Sequence, residues 1–359
     1  MTEIEQRRRR AADRLTELKI DALLISSPAN VRYLSGFAGS NGLMLIAPGE
    51  SHFFTDPRYT IEASENVTCK VHVAKVALIT AAARVLKKRK GANRIGFETA
   101  WMHYEEFAKL REELPPRMSL HAVGRAIEEQ RMIKSADEIA SIRRSVQVNS
   151  EAYARILKRL KPGVRELDVA ADIDYEMRRL GAENPAFETI VAAGARSALP
   201  HAHPGAHKLG ANELLLIDMG ASLNGYSSDM TRVVCAGSPS RQLRDLYKSV
   251  LESQLAAIDA VRPGVAAGKV DSVARDVLKR HALDREFIHS TGHGLGLEIH
   301  EPPRIGRKDK TRLQEGMAIT IEPGAYKEGL GGIRIEDTVL VTANGCEVLT
   351  PTPKEFLSL

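Results

Sequence analysis

The sequence lacks several features that would mark particular classes of protein. Its three cysteines, Cys69, Cys235 and Cys346, lie far apart and form no CxxC pair. This excludes a disulfide scaffold and predicts a reducing, cytoplasmic compartment. No apolar run approaches the roughly 20 residues that a membrane helix needs. No apolar segment follows the basic N-terminus, as one would in a secretory signal, so we expect no membrane partner.

The chain also lacks a strong charge of one sign, since its net charge is only +5. The one basic run, the arginines at 7–10, has no interleaved aromatic residues, and Ala11 and Leu15 continue it at helical spacing. We therefore interpret it as the solvated start of a helix and expect no nucleic-acid partner. The length of 359 residues predicts two domains.

Residues 1–130 alternate short apolar segments with a helical pattern. Segments 21–26, 42–47, 52–55 and 94–98 are bounded by Gly, Pro, Asn or Asp and predict strands. Residues 77–90 predict a helix with a basic face. The alternation is typical of an α/β domain. We place the domain boundary near residue 130, so that residues 131–359 form the second domain.

The second domain contains an internal twofold repeat. Its first helix starts at a predicted capping box of Ser135 and Glu138 and ends at Lys161-Pro-Gly. The segments LKPGV (160–164) and VRPGV (261–265) each precede an amphipathic helix, at 167–180 and 270–281. Each half then enters a hairpin, with strands 214–218 and 229–234 in the first and 317–322 and 332–341 in the second. We therefore expect two copies of one helix–helix–hairpin unit.

Each predicted hairpin carries two acids within apolar strands. They are Asp218 and Asp229 in the first hairpin, and Glu322 and Glu336 in the second. A lone carboxylate is costly to bury, so four at matching positions require cations. Asp337, beside Glu336, is expected to point to the opposite strand face and to be structural.

Histidines lie close to the second pair of acids. Three of them, His289, His293 and His300, fall within a glycine-rich segment just before the second hairpin. One histidine with four carboxylates suits two divalent ions of intermediate hardness, which favours Mn, Co or Zn. His201, in a loop before the first hairpin, is interpreted as a substrate-side donor. Nearby His203 and His207 are expected to be bystanders.

These motifs resemble the pita-bread metallopeptidases, the group that includes prolidase, aminopeptidase P, methionine aminopeptidase and creatinase. The catalytic motifs are LLLIDMGA (214–221), SSDMTR (227–232), HSTGHGLGLEIHE (289–301), AITIEPGAY (318–326) and GGIRIEDT (331–338). NVRYLSGFAGSNG (30–42) and FFTDPRYT (53–60) resemble the creatinase-type N-terminal domain. The resemblance implies a two-domain α+β and α/β protein, with a creatinase-like α/β domain followed by a pita-bread domain with a pseudo-twofold repeat.

The resemblance also implies a role for each motif residue. The ligands of two metal ions would be Asp218, Asp229, His293, Glu322 and Glu336, with Asp229 and Glu336 bridging the ions. Glu322 would also act as general base and then acid, while His201 and His300 would bind substrate and stabilise the transition state. His289 and Arg334 would support the ligands, and Arg304 would meet the substrate's carboxylate.

The implied reaction is hydrolysis of an N-terminal Xaa-Pro bond in a short peptide by a homodimeric enzyme. Arg304 favours a dipeptidase (prolidase), and the alternative is an aminopeptidase P that acts on longer peptides. Phe187 and Tyr226 are candidates for a proline pocket or for the core. A non-catalytic binding protein of the same fold is the remote alternative, because no ligand position is lost.

Overall fold

The computed structural model describes residues 1–359, and the chain divides into two units, Met1–Arg131 and Met132–Leu359. The strands of the first unit are β1 (Ala22–Ile25), β2 (Gly42–Ala47), β3 (Glu50–Thr55), β4 (Lys70–Val73), β5 (Arg94–Glu98) and β6 (Ser119–Val123). They form one sheet in the order β4-β3-β2-β1-β5-β6, antiparallel from β1 to β3 and parallel at the other pairings. The four strands predicted from the sequence are all present.

The helices of the first unit cover this sheet. They are α1 (Glu3–Asp13), α2 (Pro28–Ser35), α3 (Thr60–Asn66), α4 (Leu78–Lys88), α5 (Tyr104–Glu113) and α6 (Ala126–Arg131). The helix expected at 77–90 is α4. It buries a stripe at helical spacing, formed by Ile79, Ala82, Ala83 and Leu86, against the apolar residues of the sheet.

The N-terminal arginines lie on a helix as expected, but two of them are not solvated. Arg7 and Arg8 are each only 7% exposed. Their Nη1 atoms donate to the carbonyls of Tyr33 at 3.2 Å and Leu34 at 3.0 Å. Because these carbonyls belong to the last turn of α2, cationic donors there satisfy groups that the helix itself leaves free. The basic run therefore holds α1 against α2.

The second unit has four long helices and fourteen strands. The helices are α7 (Ala136–Leu157), α8 (Glu166–Arg179), α9 (Arg241–Asp259) and α10 (Ala267–Arg280). The strands are β7 (Asn184–Pro185), β8 (Ile190–Ala193), β9 (Leu214–Met219), β10 (Ala221–Leu223), β11 (Tyr226–Ser227), β12 (Met230–Cys235), β13 (Gly292–Gly294), β14 (Glu301–Ile305), β15 (Ala318–Ile321), β16 (Gly324–Lys327), β17 (Gly331–Arg334), β18 (Asp337–Val341), β19 (Cys346–Val348) and β20 (Leu357–Ser358). Across the whole chain, no helix combines the length and apolar content that crossing a bilayer requires.

The predicted repeat is confirmed in the order of these elements. Helices α7 and α8 precede the antiparallel pair β9–β12, and α9 and α10 precede the antiparallel pair β15–β18. The two pairs are the centres of a four-stranded sheet, β20-β12-β9-β8, and a five-stranded sheet, β14-β13-β15-β18-β19. Each half thus presents the end of one hairpin to the same interior.

The first helix of the repeat begins as predicted but ends early. Glu138 N–H donates to Ser135 Oγ at 3.3 Å and Ser135 N–H to Glu138 Oε2 at 3.1 Å, which confirms the capping box. However, α7 ends at Leu157, before the predicted stop at 161–163. Gly163 N–H donates to Leu209 O at 2.7 Å, and Leu209 N–H donates to Val164 O at 2.9 Å. Because these bonds resemble those between strands, the backbone at 163–164 is not helical.

The strand predicted at 332–341 is wrong as a single strand. It is divided into β17, which pairs with β16, and β18, which pairs with β15. Pro323 separates β15 from β16, because proline has no N–H for the ladder. At the matching break in the return strand, Glu336 N–H donates to Thr231 O of the first half at 3.2 Å. This interruption brings Glu336 to the first hairpin.

Candidate metal centre

The first hairpin places Asp218 and Asp229 at the end where β9 and β12 are joined through β10 and β11. Asp218 lies on β9 opposite Thr231 in the β9–β12 register, and Asp229 immediately precedes β12. Every residue of both strands is buried, so neither face offers the carboxylates bulk water. Asp218 is 8% exposed and Asp229 is 5% exposed.

The second hairpin places its two glutamates in the same way. Glu322 follows β15 and Glu336 precedes β18, so they flank the terminal pair of Ile321 and Asp337. Glu336 is only 1% exposed. Thr231, on the first hairpin, donates its hydroxyl to Glu336 Oε2 at 2.7 Å. The acids from the two halves therefore meet in one interior space.

His293 on β13 completes this cluster. Its Nε2 lies 3.5 Å from Asp229 Oδ2 and 3.4 Å from Glu322 Oε1, and its Nδ1 lies 3.0 Å from Gly294 O. Burial lowers the pKa of His293 to about 4, so the ring is neutral. Since Nδ1 must carry the proton that the carbonyl accepts, Nε2 faces the carboxylates with a lone pair. An imidazole nitrogen presented in this way could bind a metal ion.

The buried carboxylates of this cluster repel one another. Burial, with repulsion from Glu336 and Asp218, raises the pKa of Asp229 well above its usual value. Burial and repulsion from Glu322 likewise raise the pKa of Glu336. Burial raises the pKa of Glu322 to about 8, against the opposing effect of Arg334. Cations among these groups would favour the charged carboxylates and so offset the effects of burial and repulsion.

The donor atoms fit divalent metal ions. One ligand atom from each of Asp229, His293 and Glu336 lies within 4.8 Å of the others. Two buried oxygens, Asp218 Oδ1 and Asp229 Oδ1, have no hydrogen-bond partner. A buried carboxylate oxygen without a donor is costly, and a metal would satisfy both. Carboxylate oxygens and one imidazole suit ions of intermediate hardness such as Mn, Co or Zn.

Asp218 is held in place by Arg334, which is linked in turn to Tyr326 and His289. The Arg334 guanidinium pairs with Asp218 Oδ2, donates to Thr231 Oγ1 at 3.0 Å and donates to the Tyr326 hydroxyl at 2.7 Å. Tyr326 in turn lies 2.8 Å from His289 Nε2. His289 Nδ1 is bonded to the Ser290 carbonyl, so Nε2 accepts the Tyr326 proton. A continuous chain of hydrogen bonds thus runs from His289 to Asp218.

Sequence reasoning missed the roles of Thr231 and Tyr326. Both lie within the recognised motifs, SSDMTR and AITIEPGAY. Their closeness in sequence to the proposed ligands Asp229 and Glu322 could have indicated these roles. Asp337 behaves as expected, since it is fully buried and accepts from Arg232 at 2.7 Å and Lys354 at 2.6 Å, away from the other acids.

Around the cluster of acids and His293 lie the residues expected on the substrate side, His300, His201 and Arg304. The His300 ring lies 4.4 Å from the His293 ring and borders a cavity of about 440 Å³. Burial lowers the pKa of both His300 and His289, and repulsion from nearby His201 adds to both shifts. Arg304 is the antiparallel partner of His293, so both side chains leave the sheet on one face.

The remaining candidates, Tyr226, Phe187 and His203, have different surroundings in the structure. Tyr226 is buried, donates to Glu138 Oε1 at 3.1 Å and packs with Ile142 and Val146 of α7, so it belongs to the core. Phe187 is partly exposed, and its ring leaves no space for a Cβ at Gly220. His203 is exposed, and its Nδ1 lies 3.2 Å from Glu188 Oε2.

Comparison with known proteins identifies the family. Residues 140–343 match metallopeptidase family M24, and residues 7–133 match the creatinase/prolidase N-terminal domain. The chain belongs to metallopeptidase family M24. It therefore has the two-domain fold of this group, with a creatinase-like domain followed by a pita-bread domain, and its catalysis depends on divalent metal.

Similar proteins carry two different descriptions. The chain is 39% identical to a Xaa-Pro dipeptidase of Pyrococcus furiosus, over 96% of this chain and 97% of that protein. A Xaa-Pro dipeptidase structure from Bacillus anthracis superposes with a TM-score of 0.96 at 34% identity and covers 99% and 100% of the two chains. An X-Pro aminopeptidase structure from Thermotoga maritima reaches 0.89 at 34% identity, covering 97% and 100%.

Proposed function

We propose that this M24 peptidase hydrolyses the bond between the first residue and proline in Xaa-Pro dipeptides. The observation that carries the proposal is the buried group of four carboxylates and one imidazole, in which two carboxylate oxygens lack donors. The Pyrococcus and Bacillus relatives named Xaa-Pro dipeptidase support the choice of substrate. Residues 1–130 would form the creatinase-like domain and residues 131–359 the catalytic domain.

The five residues of this cluster would hold two divalent ions, Mn, Co or Zn. The ligands would be Asp218, Asp229, His293, Glu322 and Glu336. Two such ions supply a water of lowered pKa and polarise the peptide carbonyl. Arg334 would keep Asp218 in position directly, and His289 would support Arg334 through Tyr326.

The chain's own residues move protons and bind the peptide. Glu322 would, as a carboxylate beside the reacting water, take a proton from that water and return it to the leaving nitrogen. His300 and His201 would donate to the oxygen that gains negative charge. Arg304 would bind the carboxylate of a dipeptide, because a guanidinium forms paired hydrogen bonds with it.

An aminopeptidase acting on longer peptides is the second candidate. The Thermotoga maritima relative described as an X-Pro aminopeptidase favours it, since it matches almost the whole chain at the same identity as the Bacillus structure. A non-catalytic binding protein of this fold is the remote alternative. We also propose a homodimer in the cytoplasm, the first from family resemblance and the second from the three free cysteines.

One experiment separates these candidates. Protein stripped of metal is reloaded with Mn, Co or Zn and given a dipeptide and a longer peptide with the same Xaa-Pro start. We expect metal-dependent cleavage of the dipeptide alone. Cleavage of the longer peptide would show an aminopeptidase. Cleavage of neither peptide with any of the metals would contradict both and favour the binding protein.

A further inference from the structure

The second unit has a cavity of about 670 Å³ that none of the proposed metal ligands lines. It lies between the segment 284–290, which precedes β13, and the segment 304–309 at the end of β14. Four exposed cationic side chains surround it, those of Arg285, Arg304, Arg307 and Lys308, against the two carboxylates of Asp284 and Asp309. The cavity is therefore concave and positively charged.

The four cations are free of protein partners. None of their side chains forms a hydrogen bond or an ion pair in the structure, whereas Arg143 pairs with Glu347 and Arg165 pairs with Asp168. The carboxylates of Asp284 and Asp309 offset part of this charge, which leaves an excess of two positive charges among these six side chains. Like charges held together without a counter-ion repel, so an anion would stabilise this arrangement.

The frame that carries these cations is fixed to α10. Gly268 N–H donates to Asp309 O at 3.0 Å and Ala267 N–H to Thr311 O at 2.8 Å, which anchors the turn at 306–309. On the opposite wall, Arg275 pairs with Asp271 at 2.8 Å and donates to the Phe287 carbonyl at 3.0 Å. The two walls are thus tied to one helix, and little reorganisation is needed to accept a ligand.

We propose that this cavity binds an oxyanion with two negative charges, phosphate either free or as a monoester. Guanidinium groups match the oxygens of phosphate with paired hydrogen bonds, and a concave cationic wall concentrates anions. The site goes beyond the proposed peptidase activity, since its ligand is not the peptide. It adjoins the metal centre through His289, which lines the cavity and is bonded to Tyr326 at 2.8 Å.

The test measures phosphate binding by calorimetry on the metal-loaded protein. The cavity variant combines Arg285→Ala, Arg307→Ala and Lys308→Ala, and leaves Arg304 intact. A control variant with the same loss of charge combines Arg241→Ala, Lys248→Ala and Arg262→Ala, none of which lines the cavity. Inorganic phosphate, methyl phosphate and acetate are titrated into each, and circular dichroism checks the fold. The single variant Arg307→Gln serves if the triple variant does not fold.

We expect saturable phosphate binding in the wild type and the control variant, and binding weaker by about tenfold or more in the cavity variant. Methyl phosphate bound as well as inorganic phosphate identifies a monoester site, and preference for inorganic phosphate identifies the free ion. Binding that is unchanged in the cavity variant but lost in Glu336→Ala would place phosphate on the metals and overturn the proposal. Acetate bound as tightly as phosphate would also overturn it, by showing a carboxylate site.

Discussion

The hydroxyl of Thr231 donates to Glu336 Oε2 at 2.7 Å and accepts from Arg334 Nε at 3.0 Å. Thr231 lies on the first hairpin, and its two partners lie on the second. The backbone repeats the link, since Glu336 N–H donates to Thr231 O. One fully buried side chain therefore fixes the relative position of the two halves where their acids meet.

Thr231→Val keeps the shape of this side chain but removes the hydroxyl. Glu336 then loses the donor that orients it, and we expect metal affinity to fall by about 10- to 100-fold. Competition with a chelator measures this directly. Thr231→Ser retains the hydroxyl and should recover most of the affinity. Equal affinities for the valine and serine variants would show that the hydrogen bond does not position the ligand.

Glu336→Ala removes one of the five proposed metal ligands. We expect loss of at least one metal per chain and of nearly all activity, measured by elemental analysis and dipeptide hydrolysis. The matched control is Glu347→Ala, which removes an exposed glutamate that pairs only with Arg143. Full metal content and full activity in the Glu336 variant would refute the two-metal assignment.

The metal-free protein should become less stable as the pH rises. Glu322 has a pKa of about 8 in the fold against an ordinary value of 4.5, so folding favours its protonated form. This contribution is fully present below about pH 4.5 and is lost as the pH rises through about 8. Thermal unfolding of the stripped protein across that range measures it. Glu322→Gln should flatten the dependence, and an equal slope in both proteins would contradict the assignment.

Arg304→Ala tests recognition of the dipeptide carboxylate. We expect KM for an Xaa-Pro dipeptide to rise by about 10- to 100-fold with a smaller change in kcat, because the lost contact is present before and during the reaction. Hydrolysis of a longer peptide, if any, should change little. Arg304→Lys keeps the charge but loses the paired hydrogen bonds, so it should be intermediate. An unchanged KM in both variants would assign Arg304 only to the neighbouring cavity.

Local sequence patterns predict the secondary structure elements and the types of metal ligand in this protein. The capping box at Ser135, the helix α4 and the strands β9 and β12 follow from spacing and composition, which act over a few residues. The repeat of paired acids and the motif around His293 indicated the metal chemistry and the family. These features could be predicted because each depends on neighbours in the chain.

The contacts between these helices, strands and side chains depend on the tertiary structure. Arg7 and Arg8 are buried because the carbonyls that they satisfy lie on another helix. The break before Glu336 reflects pairing with Thr231, about a hundred residues away in the chain. The sequence leaves Tyr226 as a candidate for either the proline pocket or the core. Its packing against α7 shows that it belongs to the core. Contacts between distant residues depend on the free energy of the whole fold, which local patterns do not record.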